Sequence, residues 1–99
     1  MDDKLFDEVI RALTQAGASM RCQELGKLLE SLGFKVRDGK RGGHKIITHT
    51  GIPGFLSASY NCDHGKNPEI KRPYINQIVK ILGKYEQDLR TFLEERSHV

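Results

Sequence analysis

The chain predicts an α+β domain in which helices cover one face of a three-stranded antiparallel sheet, in the order α-α-β-β-β-α-α. Two observations carry this. Apolar residues recur at helical spacing in the first and last thirds of the chain, whereas from Phe34 to Asn61 the period is two and glycine-rich turns separate three short runs. Such short turns join neighbouring strands antiparallel. Ninety-nine residues suit one domain, since domains most often run to roughly 100–150, and residues 1–99 are read as that domain.

Asp2 and Asp3 open the first helix, about residues 3–16, where acidic side chains suit the helix dipole. Its apolar stripe is Leu5, Phe6, Val9, Ile10 and Leu13. Gly17 reads as its stop and Ser19 as an N-cap for the second helix. That helix runs from about Arg21 to Leu32 on the stripe Cys22, Leu25, Leu28, Leu29 and Leu32, and Gly33 ends it. Phe34 and Val36 alternate with Lys35 and Arg37 as a half-buried strand. Asp38 to Gly43 is a hairpin loop, His44 to Thr50 a second strand, Gly51-Ile52-Pro53-Gly54 a turn, and Phe55 to Asn61 a third strand. Asn67-Pro68 marks a loop. Pro73 suits the first turn of a helix carrying Ile75, Ile78, Val79 and Leu82, which Gly83 should stop. A last helix, about residues 85–95, carries Leu89, Phe92 and Leu93 and is otherwise charged.

The charge is unevenly spread. Residues 1–32 carry −2, residues 33–45 carry +4, residues 46–61 none, residues 62–72 +1 and residues 73–99 zero, giving the net +3. Lys35, Arg37, Lys40, Arg41 and Lys45 thus hold most of the excess on one hairpin. A solvated turn would account for such residues, and so would contact with a polyanion. No apolar run approaches the ~20 residues of a membrane span, so no membrane partner is expected. Cys22 and Cys62 lack metal-ligand spacing. With no secretory signal ahead of the first helix, they are expected as reduced thiols of a cytoplasmic protein, Cys22 as a small core side chain.

Gly42-Gly43-His44-Lys45 concentrates the chemistry. It places a histidine at the mouth of a strand, behind the basic tip Arg37-Asp38-Gly39-Lys40-Arg41. An imidazole moves protons near neutral pH, the cations would draw in phosphates, and glycine leaves room for a backbone to approach. A second polar cluster, Cys62-Asp63-His64-Gly65-Lys66, follows the third strand. The predicted nucleic-acid site is therefore His44 as acid–base residue, with Lys40, Arg41, Gly42, Gly43, Lys45, His64 and Lys66 as nucleic-acid contacts.

With these residues in view, Leu25-Gly26-Lys27-Leu28-Leu29-Glu30-Ser31-Leu32-Gly33-Phe34, then Gly43-His44-Lys45-Ile46, then His64-Gly65-Lys66 resemble the HicA family of toxins. Those are small mRNA interferases of bacterial toxin–antitoxin pairs. The resemblance covers about residues 21–83, leaving the first and last helices as additions. It implies a fold like the double-stranded-RNA-binding domain and a metal-independent endoribonuclease with no cofactor. It also implies His44 as the catalytic histidine, Gly42 as the motif glycine, and a HicB-type antitoxin that covers the hairpin. The position of the family's serine is held here by Gly43.

Other residues keep two readings. His64 is a second proton donor or phosphate contact, or a turn residue hydrogen-bonded to Asp63. His49 falls on the opposite face of the strand from His44 and should not cooperate with it. A metal site of Cys62, His64 and His44 lacks a fourth ligand of usual spacing. Tyr60 and Tyr74 either stack on bases or pack in the core. His98 carries no role. A non-catalytic RNA-binding module using the same basic hairpin is the alternative function, and the added helices suggest a third, an interaction module.

Overall fold

Three and four residues separate the apolar positions from Leu5 to Leu13, and they form helix α1 (Asp3–Thr14) in a computed structural model that describes residues 3–96. Asp2 and His98 lie outside the described residues. The chain then follows β1 (Ser19–Arg21), α2 (Cys22–Ser31), β2 (Lys35–Asp38), β3 (His44–Thr48), β4 (Ala58–Asn61), β5 (Glu69–Lys71), α3 (Arg72–Lys84) and α4 (Glu86–Arg96). The order is α-β-α-β-β-β-β-α-α, with two strands more than the sequence predicts.

The extra pair is a ribbon. β1 and β5 run antiparallel with Met20 opposite Ile70, both buried. Ser19 therefore does not cap α2; its hydroxyl donates to Glu69 Oε1 at 3.1 Å, and the cap position falls on Arg21. Three residues per strand are too few to show a period, which hides such a ribbon from sequence reading.

The main sheet matches expectation: β2, β3 and β4 form an antiparallel sheet in that order. Val36, Ile47 and Ala58 lie in register on the side that faces the helices. Arg37, Ile46 and Ser59 share the other side, which no helix covers in the described residues. One core joins all the helices: Phe6, Val9 and Leu13 of α1 are buried with Leu25 and Leu29 of α2, Ile75 and Leu82 of α3, and Leu89 and Leu93 of α4. The first and last helices are thus parts of the domain's core.

Long-range polar contacts hold these ends. The Arg72 guanidinium donates to Leu13 O at 3.0 Å, in the last turn of α1, and to Gly17 O at 2.6 Å in the turn beyond it. Arg90 binds Asp7 at 2.7 Å and Glu86 at 2.9 Å and lies over the Phe6 ring, pinning α4 to α1. Gly83 does not stop α3, which runs on to Lys84 and breaks at Tyr85. Among the described residues, no helix is long and apolar enough to cross a membrane.

His49 follows β3 and turns into the core, as alternation predicts. It is 5% exposed, between the rings of Phe34 and Phe92. Its Nε2–H donates to Leu32 O at 2.9 Å, and Nδ1 accepts from the Gly51 N–H at 3.0 Å. A second proton would put two donors face to face. Burial, with a smaller contribution from Arg96, holds its pKa below the ordinary 6.5, against the pull of the Leu32 carbonyl.

Below about pH 6.5 the unfolded chain therefore takes up a proton that the folded chain refuses. His49's contribution is present above that pH and is lost as pH falls toward the depressed folded value. Urea midpoints should drop between pH 7 and 5, by at most about 1.4 kcal/mol of stability per pH unit from this residue. His49→Gln should flatten that dependence; an unchanged slope would refute the assignment.

Candidate functional site

Alternation along β3 and β4 decides what His44 meets. His44 pairs with Asn61 across the sheet, so both side chains emerge on the uncovered face. His44 Nδ1 lies 3.0 Å from Asn61 Oδ1. With Nδ1–H donating to that oxygen, the lone pair is left on Nε2, the arrangement a general base needs.

The hairpin backbone builds the mouth. Gly39 N–H donates to His44 O at 2.7 Å and His44 N–H to Arg41 O at 3.1 Å, curling residues 39–43 over the strand end. The imidazole lies against Gly39 so closely that a Cβ there would overlap its Cδ2. Position 39 therefore needs glycine for space. Gly43 needs it for another reason: its φ is +84°, and a Cβ would strike the Cys62 carbonyl oxygen. A serine at 43 would not fit this backbone.

Lys40, Arg41, His44, Ile46 and Asn61 line an open cavity of about 390 Å³. Lys40 and Arg41 are exposed and have no acidic partner among the described residues. Their charge is free to meet an anion. Arg37, opposite Ile46 on the same face, adds a third cation.

The other predicted contacts divide. Lys45 is next to His44 in sequence and therefore on the opposite face, where it pairs with Asp38. It is not beside the imidazole, and its charge is already compensated. His64 stands at the hairpin tip, with its ring 3.7 Å from where a Cβ on Gly42 would lie, but it does not line the His44 cavity. Lys66 is exposed in the same loop. Tyr60 and Tyr74 pack in or against the core and are not stacking platforms on the open face.

The expectation of reduced thiols is overturned. Cys22 and Cys62 are joined in a disulfide, with Cα atoms 5.9 Å apart, within the usual range. The fold brings them together because Cys22 N–H donates to Pro68 O at 3.0 Å and Asp63 N–H donates to Glu69 O at 2.8 Å, so the start of α2 lies beside the loop that folds back on Cys62. Cys62 is thereby removed as a thiolate ligand, so the metal set of Cys62, His64 and His44 does not hold.

Sequence reasoning missed Asn61, Gly39 and Arg37 as site residues. Asn61 has no motif of its own; only its register opposite His44 reveals it. Taken together, fold and site define an α+β domain that carries a histidine–amide pair and unpaired cations on an open antiparallel sheet. No family model, curated protein or solved structure matches this chain.

Proposed function

We propose that the chain is the toxin of a toxin–antitoxin pair, a metal-independent endoribonuclease of the HicA type that acts in the cytoplasm. The observation that carries the reading is the His44–Asn61 pair opening into a cavity edged by Lys40 and Arg41. Held at Nδ1, the imidazole presents Nε2 to an RNA 2′-hydroxyl and takes its proton. The 2′-oxygen then attacks the adjacent phosphorus, the P–O5′ bond breaks, and the leaving oxygen receives a proton from water or from the imidazolium. Lys40 and Arg41 stabilise the charge that develops on the phosphorane oxygens. A second reacting nucleophile is not needed. Because a single histidine must serve both proton transfers or enlist water for one of them, turnover should be slow.

The uncovered, basic sheet face also suits a protein inhibitor, and a HicB-type antitoxin lying over the hairpin would close the cavity and bury His44. The resemblance of residues 21–83 to the family supports this partner, and the space requirement at position 43 accounts for the missing serine.

The test is the product. RNA incubated with the purified protein in excess chelator should yield 2′,3′-cyclic phosphate and 5′-hydroxyl ends, and the same sequence as DNA should stay intact. Cleavage of DNA, or dependence on an added divalent ion, would rule out this mechanism. Binding of RNA without cleavage would leave a recognition module in its place.

A further inference from the structure

The outer edge of β2 carries backbone groups that nothing binds. Gly39 N–H donates to His44 O, and Arg37 stands opposite Ile46. Bonded pairs alternate along an antiparallel ladder. Arg37 therefore turns its N–H and C=O toward β3, while Val36 and Asp38 turn theirs away from it. β2 is the outer strand of its sheet, and no group among the described residues bonds to those outward N–H and C=O groups. Such an edge is a template for one more strand.

The flanking side chains say which strand. Lys35 and Arg37 are exposed on the uncovered face and have no acidic partner among the described residues. Asp38 points to the other face, where Lys45 compensates it. A second copy of the chain is a poor occupant. In the antiparallel register that bonds Val36 and Asp38 in both copies, two Arg37 side chains stand directly opposed, and in the adjacent register Arg37 meets Lys35. Like charges so placed are destabilising. RNA suits the edge no better, because the outward carbonyls would face phosphate oxygens with no donor between them. β4, at the opposite edge of the sheet, carries no charged residue.

We infer that β2 is the docking edge for an extended acidic segment of a protein partner, which adds a fourth strand to the sheet. The segment's backbone bonds to Val36 and Asp38, and carboxylates on alternate residues meet Lys35 and Arg37. Apolar residues between them lie beside Val36, which is half-buried and lines a cavity of about 400 Å³ between α2 and the sheet. Arg37 faces Ile46, and Ile46 lines the His44 cavity. A segment seated here thus brings negative charge to the side of that cavity and opposes RNA. That the partner is the antitoxin rests on the reading above; the edge itself does not.

The probe is a capped heptapeptide of alternating glutamate and valine, titrated to millimolar concentration into isotope-labelled protein and followed by NMR. The amide resonances of Val36 and Asp38 should move most, and their hydrogen exchange should slow. N-methylation of the peptide's valines removes the N–H groups that face β2 and should abolish binding. Lys35→Glu/Arg37→Glu, at two exposed positions that leave the core untouched, should weaken the peptide by at least about tenfold, the worth of two surface ion pairs. The same variant should gain affinity for an alternating lysine–valine peptide. No shift at millimolar peptide, an N-methylated peptide that binds like the parent, or largest shifts at Ser59 and Asn61 would overturn the inference. An uncleavable 2′-O-methyl oligouridylate that slows exchange at Val36 and Asp38 as the peptide does would assign the edge to RNA instead. None of these readouts needs cleavage, so a failed nuclease assay and a failed peptide titration are separate results.

Discussion

Replacing His44 by alanine is expected to slow RNA cleavage by about 10²–10⁴-fold, the usual contribution of one positioned acid–base group. The fold should barely notice. His44 lies on the uncovered face, makes one side-chain hydrogen bond, to Asn61, and is not part of the core, so a stability change within about 0.5 kcal/mol is expected. Affinity for RNA should also hold, because Lys40 and Arg41 remain. Asn61→Ala should fall between parent and His44→Ala, since the imidazole survives but turns freely. Rates measured on folded, purified variants decide the matter: a His44→Ala protein that cuts at the parent rate removes His44 from the chemistry.

Opening the disulfide should produce the largest change in stability. Cys22 and Cys62 are 40 residues apart, and closing a loop of that size restricts the unfolded chain by about 4 kcal/mol on the chain-entropy account. A small domain has roughly 5–15 kcal/mol in total, so reduction should remove a large part of it. The oxidised protein, the reduced protein and the Cys22→Ala/Cys62→Ala pair should be compared by urea unfolding, and the last two should agree with each other. Coincident midpoints for oxidised and reduced protein would show that the bond adds nothing. In a cytoplasm that keeps thiols reduced, the domain would rely on the remaining core.

The sheet was legible in the sequence because Lys35 to Arg37 alternate and short glycine-rich turns separate three runs. His49 was legible for the same reason: alternation alone turns it away from His44. Alternation also separates Lys45 from His44, yet adjacency along the chain had grouped them. The ribbon of β1 and β5 left no period to read. Nothing in the spacing of Cys22 and Cys62 signalled a bond, because their proximity is produced by hydrogen bonds that the Pro68 and Glu69 carbonyls accept from Cys22 and Asp63. Asn61 required the register of β3 on β4, which depends on how two turns close. Properties local to one strand or helix could thus be read, whereas those created by pairing across the fold could not.

The contact between α1 and α4 sets an order on assembly. Asp7 and Arg90 are 83 residues apart, and Phe6 is covered by the guanidinium of that same arginine. Contacts so distant in sequence form only after a large loop has closed, and such topologies fold more slowly than local ones. As the chain leaves the ribosome, the hairpin with His44 emerges well before residue 90. The face that carries His44 can therefore take shape while the first helix still lacks the partner that completes its burial, and the domain closes only when its last helix arrives.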